Sequence, residues 1–217
     1  MWQSADSSVN ATSSNLIKKE QKIYMIKLSI SVMAHPSREK YFGYLKEKLN
    51  NPKFSIDTES KGLLWNCVNS WKMHDLDSDY HLVVQDDAII CKDFVNKASE
   101  MIEKNGRYLY SFYHANRESW NDAVNDALKG SGYLIKKHVH SGLAIAIPRD
   151  LIPSMLDFFE KQKEPADDVR IGMWAKSIGL LNFIPIPSLI DHRDEKSLHN
   201  NNKGGLYRKA HKFIDNI

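Results

Sequence analysis

The segment Tyr80-His-Leu-Val-Val-Gln-Asp-Asp-Ala-Ile-Ile90 constrains the chain most. Leu82, Val83 and Val84 form a continuous apolar run of strand length, which suits a central strand covered on both faces. Asp86 and Asp87 follow directly. In an open α/β sheet that position borders the ligand crevice beyond the carboxyl ends of the strands. Two adjacent acids repel there unless a cation or a ligand hydroxyl compensates them. Such oxygen donors suit Mg²⁺ or Mn²⁺, and those ions in turn suit a diphosphate. Neighbours in an extended segment point to opposite faces, so one carboxylate is expected to reach a metal and the other a ribose or sugar hydroxyl. An exposed acidic turn would explain the pair alone, but not the apolar residues on either side of it.

Around this segment the pattern alternates strand and helix. Lys27–Met33 alternates apolar and polar residues as a first strand, and Ser37 stands where it would cap a helix reaching about Leu49. A short strand near Phe54–Asp57 precedes a helix over about Lys61–Met73. Further helices are expected at Asp93–Lys104, Ser119–Leu128, Arg149–Lys161 and Asp167–Ile178, with Pro153 in a first turn and Gly179 as a C-cap. Strands are expected at Tyr108–Tyr113, Ala144–Pro148 and Asn182–Pro187, followed by a polar loop and a basic tail from Ser188 to Ile217. This order predicts one α/β domain, a Rossmann-like sandwich with a mainly parallel central sheet, over residues 25–217. Residues 1–24, rich in Ser and Asn, predict a disordered extension.

The chain has 217 residues, 42% hydrophobic and 26% charged, which suits a globular enzyme. No apolar run approaches the roughly 20 residues of a membrane span, and no leader pattern is visible. Cys67 and Cys91 have no metal-type spacing and read as free thiols, so a cytoplasmic setting is expected. From Lys203 onward, four bases face one acid, so the tail carries the whole formal net charge of +3. Such a tail can meet nucleotide phosphates, nucleic acid or only solvent.

Three further groups of residues could carry chemistry. His35, Pro36, Ser37 and Arg38 form a strand-to-helix turn with a hydroxyl, a guanidinium and free backbone N–H groups, fit for a phosphate or nucleoside. A capped helix with a surface arginine explains the same residues. Asp191, His192, Arg193 and Asp194 are consecutive. The imidazole can complete a divalent site and the arginine can neutralise a departing diphosphate. A self-paired surface loop is the alternative. At Glu164–Arg170, Asp167 reads as an acid stabilised by a helix dipole and Asp168 as a general base for an acceptor hydroxyl. Trp120 lies in a polar stretch and suits stacking, and His138 and His140 beside Lys136 and Lys137 could approach an acceptor.

The order Met33-Ala-His-Pro-Ser-Arg38, Leu82-Val-Val-Gln-Asp-Asp-Ala88, Pro187-Ser-Leu-Ile-Asp-His-Arg-Asp194 with Ser197-Leu198, then Arg208-Lys-Ala-His-Lys-Phe213 resembles a small glycosyltransferase family of bacteriophages and bacteria. The resemblance runs from about Ile26 to Phe213. It implies the A-type (GT-A) glycosyltransferase fold and sugar transfer from a nucleotide-sugar donor, a UDP-sugar among the candidates, assisted by Mn²⁺ or Mg²⁺. Carried over, Asp86 and Asp87 match the metal and ribose carboxylates, His192 the late histidine of the metal shell, and Asp168 an acidic position tied to acceptor activation. The departure is Gln85, which stands first in the usual Asp-any-Asp triplet and belongs with Asp86 and Arg193 around the donor.

Related enzymes imply one acceptor class, hydroxymethylated pyrimidines in DNA, with a glycan or protein acceptor as the alternative. A nucleotidyltransferase shares strand-end carboxylates but should show a Gly-rich loop, and Ala34–Arg38 contains no glycine. A nucleic-acid-binding module would account for the tail and leave the acids without a purpose. Oligomeric state is not legible in the sequence.

Overall fold

A computed structural model describes residues 26–163, 166–193, 195 and 208–216. The expected extension over residues 1–24 lies outside these residues, as do Asp194, Ser197, Leu198 and Lys203. Seven strands form one sheet: β1 (Leu28–Ala34), β2 (Lys53–Ile56), β3 (Tyr80–Gln85), β5 (Leu109–Ser111), β6 (Tyr133–Lys136), β7 (Ala144–Pro148) and β8 (Asn182–Pro185). Their order across the sheet is β2-β1-β3-β7-β5-β8-β6. Strands β2, β1, β3, β5 and β8 share one direction, while β7 and β6 oppose it, so the sheet is mainly parallel.

Alternation along the strands divides the core into two layers. Ile30, Val32, Leu82, Val84 and Ala146 face one side, where Leu45 of α1 (Phe42–Lys48) and Phe94, Ala98 and Ile102 of α3 (Phe94–Asn105) cover them. Met33, Val83, Ile145 and Ile147 face the other. There they meet Trp71 of α2 (Leu63–Lys72), Met155 and Phe159 of α5 (Ile152–Glu160), and Ile171 and Trp174 of α6 (Asp167–Ser177). The remaining helix, α4 (Asn121–Lys129), packs Val124 and Ala127 against Ile184 and Ile186. Burying each of these large side chains contributes roughly 1.5–3 kcal/mol, which explains why Leu82 and Val84 are fully buried at the sheet centre.

One polar network is sealed inside the second layer. His81 is fully buried; its Nδ1 lies 2.8 Å from Ser29 Oγ, and its Nε2 lies 3.1 Å from Ser31 Oγ and 3.0 Å from the Ser70 carbonyl. Burial holds this imidazole down at about 4, hence neutral.

In its secondary structure the protein differs from the sequence reading at three segments. Ser37 is not the cap: the turn after β1 is a short 3₁₀ segment, Pro36–Tyr41, capped by His35, whose Nδ1 accepts from Ser37 N at 3.2 Å. Strand β6 was not foreseen, because Tyr133–Lys136 borders the sheet with its side chains half exposed. The stretch after Ser188 is not merely a polar loop. Ile190–His192 forms β9, which pairs antiparallel with β4 (Ala88–Ile90) and buries Leu189 and Ile190. Among the described residues no helix is long and apolar enough to cross a membrane.

Candidate active site

The β4–β9 ribbon assembles the site. Its register sets Ala88 opposite His192, bringing the imidazole to the turn that carries Asp86 and Asp87. Arg193 N donates to the Asp87 carbonyl at 2.9 Å and closes the ribbon. Asp86 and Asp87 occupy a turn between β3 and β4, so the extended-strand expectation of opposite faces fails. Instead both carboxylates converge on buried Arg38, whose Nη1 lies 2.7 Å from Asp86 Oδ1 and 2.7 Å from Asp87 Oδ2. The other oxygen of Asp86 accepts from His35 N at 2.6 Å. Burial lifts the Asp86 carboxyl above its ordinary range, against the pull of Arg38.

Asp87 is as deeply buried as Asp86 but less completely hydrogen-bonded. Its Oδ2 also lies 3.2 Å from Arg208 Nη2 and 3.4 Å from His192 Nε2, while its Oδ1 is buried without a hydrogen-bond partner. His192 Nδ1 lies 2.7 Å from the Arg193 carbonyl and donates to it, which leaves Nε2 as a lone pair. Burial lowers the His192 pKa, in keeping with a neutral ring. Arg208 Nη2 is in contact with this Nε2 as well.

Asp87 Oδ1 and His192 Nε2 are the atoms that could hold a divalent ion, in competition with Arg208 for the imidazole. An orphaned carboxylate oxygen and an imidazole lone pair fixed by its backbone partner are the two kinds of atom a metal recruits. Among the described residues no group of three or more His, Cys, Asp or Glu converges, so an ion held here needs oxygens from donor phosphates or water. That is the ordinary coordination habit of Mg²⁺.

The remaining sequence candidates spread over this edge. Pro36 and Ser37 are exposed beside the pair. Arg193 stacks its guanidinium 4.2 Å from the Tyr41 ring centre and 4.7 Å from that of Tyr44, with Nε unpartnered. Gln85 lies one residue before the acids, and its Nε2 and the Asp167 carboxylate flank Gly142: a Cβ there would meet each at 3.1 Å. Asp167 is buried, and burial pushes its carboxyl up to about 6. Asp168 is half buried at the head of α6, its Oδ1 accepting from Val169 N at 2.9 Å. Asp167 and the strand-end glutamine thus share Gly142 as a neighbour.

Sequence reasoning missed Arg208, Tyr113 and Glu195 as parts of the site. Tyr113 O–H donates to the Arg208 carbonyl at 2.6 Å, and Arg208 Nη1 donates to the Glu195 carbonyl at 2.9 Å. Lys209 Nζ donates to the His192 carbonyl at 2.8 Å. The signal was the tail's basic pattern, which the sequence leaves open between phosphates, nucleic acid and solvent; Arg208 and Lys209 in it reach back to Asp87 and His192.

No family model and no curated protein matches the chain. In structure it is similar to GalNAc-T7 solved with UDP, GalNAc and Mn²⁺, with TM-score 0.55 and 11% identity over 84% of this chain and 46% of that one. The chain thus spans just under half of that protein's length. A second similar structure is A197 from STIV, with TM-score 0.47 and 14% identity over 79% of this chain and 87% of that one. The likeness to GalNAc-T7 is one of fold: a Rossmann-like α/β sheet of the GT-A glycosyltransferase type.

Proposed function

We propose that the protein is a nucleotide-sugar-dependent glycosyltransferase assisted by Mn²⁺ or Mg²⁺. The observation that carries this reading is the meeting of Asp87, His192, Arg38 and Arg208 at the carboxyl edge of a GT-A-type sheet. The UDP and Mn²⁺ in the GalNAc-T7 crystal support a diphosphate-linked donor.

In this reaction an acceptor oxygen forms a bond to the anomeric carbon, and the bond from that carbon to the diphosphate oxygen breaks. The bonding electrons leave with the nucleoside diphosphate. Asp87 and His192 would hold the ion, which supplies positive charge for the leaving group. Arg208 and Arg193 add charge-assisted hydrogen bonds to the phosphates, and Arg38 keeps the two carboxylates in place. His35, Pro36, Ser37, Gln85 and Asp86 border the donor. The acceptor proton goes to the head of α6. We assign it to Asp167, which burial holds near the pH at which a base works well; Asp168, the choice from sequence, is the comparison.

The test uses purified protein, Mn²⁺ and a panel of nucleotide sugars, with release of nucleoside diphosphate as the readout. Donor turnover that requires the metal supports the reading. Absence of both turnover and Mn²⁺-dependent binding of any nucleoside diphosphate removes it. A hydroxymethylated DNA acceptor belongs in the same panel, read by mass spectrometry of the nucleosides, together with glycan and protein acceptors. A cytoplasmic setting belongs to the same proposal and is tested by fractionation of the source cells.

A further inference from the structure

Gly142 stands at the carboxyl edge of the sheet because the β3–β7 ladder carries it there. Val84 pairs with Ala144, and beyond that pair Gln85 N donates to the Leu143 carbonyl at 2.8 Å, so Gly142 is the next residue outward. Its φ lies outside the left-handed range, so the backbone does not call for glycine. The neighbouring side chains do. A Cβ here would come within 3.1 Å of both Asp167 Oδ2 and Gln85 Nε2, closer than a carbon comfortably sits. Glycine beside a strand commonly marks a point where another group approaches closely, and this one leaves an amide and a carboxylate next to bare backbone.

Those two atoms are chemically unlike, and together they select what can sit between them. Gln85 Nε2 offers an N–H and Asp167 Oδ2 a lone pair. Asp167 is only 7% exposed, whereas Gln85 and Gly142 are half-buried, so this side of the carboxylate is the one that borders the surface. Buried Cys67 also donates to the carboxylate; burial pushes its thiol up, so it stays protonated and adds no charge. A hydroxyl answers both atoms at once, its proton going to Asp167 and its oxygen accepting from Gln85. The nitrogen of a carboxamide donates but does not accept, and an ammonium has no lone pair, so either would set a donor against the Gln85 N–H. A phosphate would meet the carboxylate as like charge.

We infer that Gly142, Gln85 and Asp167 form the seat of the acceptor hydroxyl, Gly142 by keeping it open and Gln85 by orienting the oxygen, and that the chain glycosylates oxygen in preference to amide nitrogen. This deepens the transferase reading and rests on it. Gln85 directly precedes Asp86, so acceptor and donor meet at the end of one strand. As the acceptor oxygen bonds to the anomeric carbon, its proton passes to Asp167 and the nucleoside diphosphate leaves with the bonding electrons. Gly142 sets how near an acceptor comes to the base.

The experiment uses the full chain with Mn²⁺ and the nucleotide-sugar panel. Methyl glucoside, a serine peptide and hydroxymethylated DNA serve as hydroxyl acceptors, and an asparagine peptide as the amide. Gly142→Ala should lower kcat/KM by about tenfold or more for the hydroxyl acceptor that wild type uses, with UDP binding in Mn²⁺ within about twofold of wild type by calorimetry. Its methyl should also make the Asp167 carboxyl, followed by ¹³C NMR, titrate above the wild-type value of about 6. Acceptor kinetics within about twofold of wild type overturn the inference, as does a loss of UDP binding as large as the loss in kcat/KM. Transfer by wild type to the asparagine amide overturns it as well, and this comparison needs no variant to fold. Consumption of no donor with any acceptor removes the transferase reading and the acceptor role together, whereas turnover that Gly142→Ala leaves intact removes the inference alone.

Discussion

The guanidinium of Arg208 lies 3.2 Å from Asp87 Oδ2 and touches the His192 imidazole, so a base from the tail rests on the two groups best suited to a cation. Ion and arginine compete for the same atoms, while arginine and diphosphate attract. Arg208→Ala should therefore shift two affinities in opposite directions. Mn²⁺ alone should bind about tenfold more tightly, and UDP in the presence of Mn²⁺ roughly tenfold or more weakly, as expected for one lost charge-assisted hydrogen bond. Calorimetry of both ligands checks this. Equal weakening of the two would show that Arg208 only braces the fold.

Asp87→Asn should abolish the Mn²⁺ dependence of nucleotide binding. Asp86 remains a partner for Arg38, at 2.7 Å, so the variant keeps a folded edge. Asp86→Asn should act differently. Its oxygens serve Arg38 and His35 N, and its main loss should be in denaturation midpoint, not in metal response. Urea unfolding beside metal titration separates the two carboxylates.

Asp167 gives a prediction with a definite sign. Folding raises its pKa from 3.8 to about 6, so the native state holds this proton more tightly than the unfolded chain does. Stability from this group is present below pH 4 and is lost as pH rises to about 6, by on the order of 3 kcal/mol at most. Relative to wild type, Asp167→Asn should gain stability between pH 4 and pH 7. If Asp167 is also the base, the same variant should lose roughly 10²–10⁴-fold in kcat, and wild-type activity should rise through about pH 6. A larger kcat loss in Asp168→Asn would return the role to Asp168.

His81 tilts the other way. Its pKa falls from 6.5 to about 4 on folding, so the unfolded chain takes the proton first as pH drops. Its contribution is intact above pH 6.5 and is lost on acidification towards pH 4, again by on the order of 3 kcal/mol. His81→Gln, compared with wild type, should lose less stability on acidification through this window. Denaturant midpoints measured from pH 4 to pH 7 decide the matter, and parallel curves would refute it.

Much of the architecture is legible in the sequence because its cues are local. Leu82–Val84 announced the central strand, Pro153 and Gly179 marked helix ends, and Ala144–Pro148 matched β7 to the residue. The Asp86–Asp87 turn was found but its geometry misjudged, since a two-residue reversal after Gln85 overrides the alternation of an extended chain. Strand β9 stayed hidden because three residues carry no period, and only pairing with Ala88–Ile90 makes them a strand. Arg208 and Tyr113 escaped for the same reason: their roles depend on partners far along the chain, and spacing encodes no such partner.

The ribbon joining Ala88–Ile90 to Ile190–His192 also orders events during synthesis. The acidic turn is synthesised well before its imidazole, which arrives only with Ile190–His192. The acidic turn and its histidine therefore come together only in a chain that has reached Ile190–His192, and a stop before that strand leaves Asp87 without the imidazole.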